Sequence, residues 1–188
     1  MKSYIDKINN YVNNLDSETL TALQSISSHK KYKKGVLLLQ QNEICEKSYL
    51  LIEGIARKYY LNDGKEVTTE LYFENDLAVS FYSYTLQQPG SEFIEALTDV
   101  TVSITHYQAF QDAKAKHPKL LTLDLMLAEY YGMWVENRLF QFQTLTATER
   151  YLSILNKSPH MVRAIPLTII ASYLGISLET LSRIRAKI

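Results

Sequence analysis

The apolar positions of this chain change their spacing twice. Near the start, Tyr4, Ile5, Ile8, Tyr11 and Val12 recur at helical intervals over residues 3–14, and Ser17 suits the N-cap of a second helix over residues 17–26. From Val36 to Thr105 the texture becomes short β-rich runs, at residues 36–39, 49–52, 55–61, 67–73, 93–96 and 100–105. Gly35, Gly54, Asn62-Asp63-Gly64 and Pro89-Gly90 punctuate them, and the Asn-Asp-Gly step is a good hairpin signal. Short strands so spaced predict a β-roll or jelly roll. Helical spacing then returns. Residues 107–116 predict a short helix stopped by Pro118, and residues 119–143 carry the longest helical pattern of the chain.

That long helix has two apolar stripes. Leu121, Leu125, Ala128, Gly132, Val135, Leu139 and Phe142 alternate steps of four and three without a break, the seam of a paired coiled coil. Leu120, Leu123, Leu127, Tyr130 and Trp134 form a shorter stripe that turns polar at Asn137 and Gln141. A helix needing burial on two sides connects its own domain to something else. The unbroken stripe is therefore expected at a homodimer seam and the shorter one on the β-roll, with a single buried helix in a monomer as the rival reading. Gly132 permits close backbone approach, at a cost of about 1 kcal/mol in helix propensity relative to alanine. Residues 144–148 read as a hinge, and residues 149–156 as a helix closed by Ser158-Pro159.

In the last stretch Pro166 suits a helix entry, and Ile169, Ile170, Tyr173 and Leu174 follow at helical spacing until Gly175. Ser177 then caps a second helix, with Glu179 in the first turn, where the dipole favours negative charge. Two short helices joined by a glycine-containing turn form a helix-turn-helix. At about 100° per residue, Ser177, Leu181, Ile184 and Ile188 fall on the buried side of the second helix, and Glu179, Ser182, Arg183 and Ala186 fall opposite. Arginine matches guanine O6 and N7, glutamate accepts from cytosine N4, and a small alanine lets the helix approach closely. Glu179, Ser182 and Arg183 are thus the candidate base readers; Thr180, Arg185 and Lys187, on the flanks, suit phosphates. An ordinary amphipathic surface helix is the competing reading.

Residues 171–185, Ala-Ser-Tyr-Leu-Gly-Ile-Ser-Leu-Glu-Thr-Leu-Ser-Arg-Ile-Arg, resemble the DNA-binding helix pair of the Crp/Fnr family, the cyclic AMP receptor and fumarate-nitrate regulator group. The longer run from Glu149-Arg150-Tyr151 to Arg185 resembles the members found in Bacteroidetes. The resemblance implies that Leu178, Glu179 and Arg183 face the bases. Leu178 departs from the founding members and offers only apolar contact, such as with a thymine methyl. Leu-Ile-Glu-Gly-Ile-Ala-Arg, followed by Asn-Asp-Gly-Lys-Glu, resembles the middle hairpins of the cyclic-nucleotide-binding domain. The family implies an α+β architecture: an effector-like β-roll with flanking helices over residues 1–117, a central dimerisation helix and hinge over 118–145, and a winged-helix-like helix-turn-helix over 146–188. The chain ends directly after the second helix, so a reader without the final wing is expected, with fewer phosphate contacts and a greater need to dimerise. Double-stranded DNA, a second copy of the chain and RNA polymerase are the partners the family implies.

The ligand cassette departs from its relatives. In nucleotide-binding members a glycine-glutamate pair holds the ribose, and an arginine followed by serine or threonine holds the cyclic phosphate. The strand at residues 93–97 sets the register: Ser91 matches the hydroxyl residue, Gly90 stands where the arginine should be, and Ala78-Val79-Ser80-Phe81-Tyr82 has no glycine-glutamate pair. A buried phosphate without its charge-assisted partner is strongly disfavoured, so cyclic AMP and GMP are not expected, and Glu92 or Glu95 would repel one if turned inward. Phe81, Tyr82, Tyr84, Ser91 and Phe93 are the candidate lining for a non-nucleotide effector. Plain core packing is the simpler account, because 14 tyrosines make aromatic clusters common.

Composition adds limits. With 46% hydrophobic and 21% charged residues the chain is of the folded class. Its formal net charge is zero, but residues 146–188 carry six basic against two acidic side chains, the polarity of a DNA reader on a separate sensory domain. Lys30, Lys31, Lys33 and Lys34 around Tyr32 read as a solvated strand or loop, with a second nucleic-acid contact as the lesser alternative. The single Cys45 excludes an internal disulfide and a four-cysteine iron–sulfur sensor. No apolar run follows Met1 and none approaches the roughly 20 residues of a membrane span, so a cytoplasmic location is expected. His29, His106, His117 and His160 lack metal-ligand spacing, and no phosphate loop or nucleophile elbow is present, so no metal, cofactor or catalysis is expected. These observations favour a homodimeric transcription regulator acting on pseudo-palindromic operators without cyclic nucleotides. The rivals are a small-molecule sensor with DNA as its readout, an interaction module with a vestigial reader, and, least supported, a cupin-type enzyme.

Overall fold

The computed structural model describes residues 2–157 and 159–188. In chain order the elements are α1 (Lys2–Asn13), α2 (Ser17–Ser25), β1 (Ser27–Tyr32), β2 (Leu37–Leu39), β3 (Lys47–Glu53), β4 (Ala56–Asn62), β5 (Lys65–Tyr72) and β6 (Leu77–Ala78). There follow α3 (Phe81–Leu86), β7 (Glu92–Ala96), β8 (Val100–His106), α4 (Tyr107–Lys116), α5 (Pro118–Thr144), α6 (Ala147–Lys157), α7 (Pro159–Ala164), α8 (Leu167–Leu174) and α9 (Leu178–Arg185). They divide into two compact units, Met1–Ser28 with Thr105–Leu145, and His29–Ile104 with Thr146–Ile188. Boundaries near 117 and 145 were the expectation from sequence. The C-terminal helices instead group with the β-roll, because both contribute to one apolar core.

The first unit is helical. Leu15, Phe110, Ala113, Leu120 and Leu123 are buried together, with Ile8, Tyr11, Val12, Leu20, Leu23, Ile26 and Leu127 packed on them. The first part of the shorter stripe, Leu120, Leu123 and Leu127, is thus covered by α1, α2 and α4, where the sequence predicts the β-roll. The cap of α2 is also one residue earlier than expected: the Asp16 carboxylate, in place of the Ser17 hydroxyl, accepts from the Thr19 N–H at 2.9 Å. The Thr19 amide, with Lys119 Nζ at 2.9 Å, holds the Asp16 carboxyl well below the usual carboxylate range. Pro118, expected to stop α4, also opens α5 at its first turn, where a missing N–H is harmless.

In the second unit the strands form two four-stranded sheets, ordered β1-β8-β3-β6 and β2-β7-β4-β5. Leu38, Leu51, Ala56, Tyr72, Ile94, Ala96, Val100 and Val102 fill the interior between them. The β4–β5 hairpin closes at Asn62↔Lys65 with Asp63 and Gly64 both at positive φ, 49° and 74°, the two-residue turn that an Asn-Asp-Gly step favours. Gly54 has φ +94° and an added Cβ would lie 2.4 Å from the Asp99 carbonyl oxygen, so only glycine fits. The lysine run falls on β1 and the turn after it, the solvated-strand reading, with Lys33 Nζ 2.7 Å from Asp99. Ser158, the expected stop of α6, lies outside the described residues.

Candidate nucleic-acid interface

The helix-turn-helix is built as its caps dictate. Gly175 ends α8 in the left-handed region, φ 66°, returning its N–H to the carbonyls of Ala171 and Ser172. Ser177 caps α9, its hydroxyl accepting from the Thr180 N–H at 3.2 Å. One stabilising contact was not anticipated: Arg150 on α6 donates from Nη2 to the Leu174 carbonyl at 3.1 Å, placing a cation at the C-terminus of α8. Leu181 and Ile184 are buried, whereas Ser177 and Ile188, expected beside them, are exposed. Ser177 is turned outward by its capping role.

On the opposite face Leu178, Glu179, Ser182 and Arg183 are all exposed, with Ala186 between them and Arg185 and Lys187 at the C-terminal end. Thr180 is half-buried, its hydroxyl 3.1 Å from Ser177 Oγ. The Ser177 hydroxyl, helped by a backbone amide and by Arg183, lowers the Glu179 carboxyl from its ordinary value, so at neutral pH it acts purely as an acceptor. Arg183 is exposed, and its Nε donates to the Glu179 carbonyl at 3.4 Å.

Inside the roll the picture differs from an effector pocket. Lys58 and Glu70, facing each other across β4 and β5, form an ion pair with side chains only 5% and 8% exposed. Glu92 shares the inward face of β7 with Ile94 and Ala96, and its carboxylate accepts from the buried Ser80 hydroxyl at 3.0 Å. Glu95 faces the other way and, with Glu66, binds the Arg57 guanidinium at 2.6 Å; Arg57 also lies 4.1 Å over the Tyr59 ring. An added Cβ at Gly90 would meet Glu92 Oε2 at 2.8 Å and Ser80 Oγ at 3.3 Å.

Residues 29–117 match the family model of the cyclic nucleotide-binding domain. That segment is similar to a cyclic nucleotide-binding domain. The chain as a whole has the fold of Crp/Fnr regulators. FixK2 of Bradyrhizobium japonicum superposes with a TM-score of 0.72 at 21% identity, covering 86% of this chain and 84% of that one. A putative Crp/Fnr-family transcriptional regulator of Eubacterium rectale gives 0.70 at 20% identity, covering 93% and 85%. The c-di-GMP-responsive global regulator CLP of Xanthomonas campestris gives 0.69 at 13% identity, covering 92% and 91%. None of the curated proteins matches the sequence.

Within the β-roll the five residues expected to line an effector pocket do not converge. Phe81 and Tyr82 are exposed on α3, Ser91 is exposed, and Tyr84 packs on the interior core. Phe93 is on the outer face of its sheet, stacked on Tyr59 with centroids 4.9 Å apart. Period-two alternation on β7 separates Phe93 from Glu92 and Ile94. A cleft of about 400 Å³ is lined instead by Leu38, Glu43, Ile44, Cys45, Lys47 and Tyr49, among others, none of them among the five. Among the described residues no group of histidine, cysteine and carboxylate side chains is arranged to hold a metal, and no helix is long and apolar enough to cross a membrane.

Proposed function

We propose that the chain is a sequence-specific DNA-binding transcription regulator, cytoplasmic and homodimeric, that reads a pseudo-palindromic operator without cyclic AMP or GMP. The observation that carries this reading is the outer face of α9: a capped helix whose Glu179, Ser182 and Arg183 are exposed together, with Arg185 and Lys187 beside them for phosphates. A helix so equipped is suited to the major groove. Dimerisation is supported by α5, where Leu121, Leu125 and Leu139 are 57–60% exposed along one seam of a 27-residue helix. Contact with RNA polymerase belongs to the same reading.

Independence from cyclic nucleotides is supported at Gly90. Position 90 offers no guanidinium, a Cβ there would already meet Glu92, Ser83 and Ser80, and the Lys58 cation is matched by Glu70, so a cyclic phosphate finds a carboxylate and no unmatched positive charge. A sensor of a non-nucleotide effector has less support, since its five residues are dispersed. The test is selection of randomised duplexes by the purified protein at near-physiological salt. An enriched palindrome with half-sites about 34 Å apart is expected. Retention without enrichment would refute specific reading.

A further inference from the structure

The reader helices and the roll share a core. Leu71 on β5, with Ile55, Phe73 and Leu97 immediately flanking β4, β5 and β7, is buried in one cluster with Ile170, Tyr173, Leu174, Leu181 and Ile184. α8 is apolar on more than one side: Ile170, Ala171, Tyr173 and Leu174 are all buried and Ile169 is partly so. A helix of that kind needs cover on more than one side, and β5 packs against it as well as α9. The polar residue in the middle of this run has a specific use. Ser172 Oγ accepts from the Thr68 N–H at 2.9 Å and donates to the Glu66 carbonyl at 3.0 Å. Both groups belong to β5, the edge strand of its sheet, so one hydroxyl satisfies a donor and an acceptor that an edge leaves open. With α8 so held, the base-facing side chains of α9 remain exposed.

We propose that the reader of this chain is fixed to the outer face of the roll as one body and is presented to DNA permanently, with no ligand in the roll needed to bring it into position. The inference rests on the DNA-reading proposal above. Releasing the reader would expose the second apolar face of α8 and strip the Ser172 bonds from β5, while gaining no access for Glu179, Ser182 or Arg183, which already face outward.

Amide hydrogen exchange of the full chain, free and bound to a selected duplex, tests this. The Thr68 amide and the amides of α8 are expected to be protected in the free protein and to stay so on the duplex. In Ser172→Ala, Thr68 exchange rises by about fivefold, the net worth of one hydrogen bond, and duplex affinity falls as the reader loses its fixed orientation. Cyclic AMP, cyclic GMP and c-di-GMP leave the affinity unchanged. Loss of protection at Thr68 and α8 on duplex binding, tighter binding by Ser172→Ala, or a nucleotide-dependent affinity would each overturn the proposal. An unprotected Thr68 in the free protein would remove the docking alone. Protection without retention of any duplex would remove permanent presentation together with DNA reading.

Discussion

At position 90 an added side chain would push the Glu92 carboxylate aside and press on Ser83 and Ser80. Lys58 and Glu70 form a buried ion pair across β4 and β5. Removing one member of such a pair strands a charge, whereas replacing both by apolar groups often costs little. Lys58→Met is therefore expected to lower stability by about 3–5 kcal/mol, and Lys58→Met with Glu70→Leu to recover most of it, as read from urea denaturation midpoints. On α9 the proposed roles are distinguishable by substitution. Arg183→Ala is expected to relax base preference, the loss of one bidentate contact being worth about 1–3 kcal/mol. Lys187→Ala is expected to weaken binding to all duplexes and to reduce the salt dependence of binding. Equal, sequence-independent effects of the two in a competition assay would refute the assignment.

Among the elements, α5 and α9 illustrate opposite uses of an apolar stripe. On α9, Leu181 and Ile184 are spent on packing, which turns the polar face outward. On α5, Leu120 and Leu123 are buried, while Leu121, Leu125, Val135, Leu139 and Phe142 are exposed and an added Cβ at Gly132 meets nothing within 4 Å. A second copy of the helix would cover that stripe. Leu125→Glu with Leu139→Glu should convert a dimer to monomers in sedimentation equilibrium while leaving the helical signal intact, because neither side chain supports the core of its own chain. A monomeric wild-type protein would contradict the seam assignment. The short elements β1, β6, α3 and α7 had no comparable signature: β6 is a two-residue pairing with Tyr49 and Leu50, and α3 is held by the buried faces of Ser80 and Ser83. Neither leaves an apolar period to read.

For the molecule as a whole, acid is the clearest lever. Hydrogen bonds from the Thr19 amide hold Asp16 below its ordinary range, Lys33 does the same for Asp99, and Thr146 for Glu149. A carboxyl depressed in the folded state contributes stability that is complete above its ordinary pKa and is lost as pH falls through the folded value. Thermal stability is therefore expected to fall as pH drops below about 4, and Asp16→Asn to lower stability at pH 7 while flattening that decline. All three groups are exposed, so solvent screening keeps each effect small. An unchanged acid profile in Asp16→Asn would contradict the assignment.

Periodic features were determined by the sequence alone. The strands of the roll other than β1 and β6, the Asn-Asp-Gly hairpin, the two stripes of α5 and the capped pair α8–α9 each depend on spacing, turn chemistry or a cap within a few residues, and local steric and hydrogen-bonding preferences act over that range. Which face of α9 is outward was legible for the same reason, once 100° per residue is applied to Leu181 and Ile184. The destinations of those faces depended on the tertiary structure. Nothing local distinguishes a stripe bound for the roll from one bound for α1, α2 and α4, or shows that Ser172 serves the edge of a strand 104 residues earlier. Glu92 inward and Glu95 outward follow from alternation only after Ile94 and Ala96 are known to line the interior. Burial is a property of the assembled chain: the solvent that leaves a surface is expelled by residues distant in sequence, so the division of the molecule and the filling of the roll were decided by packing.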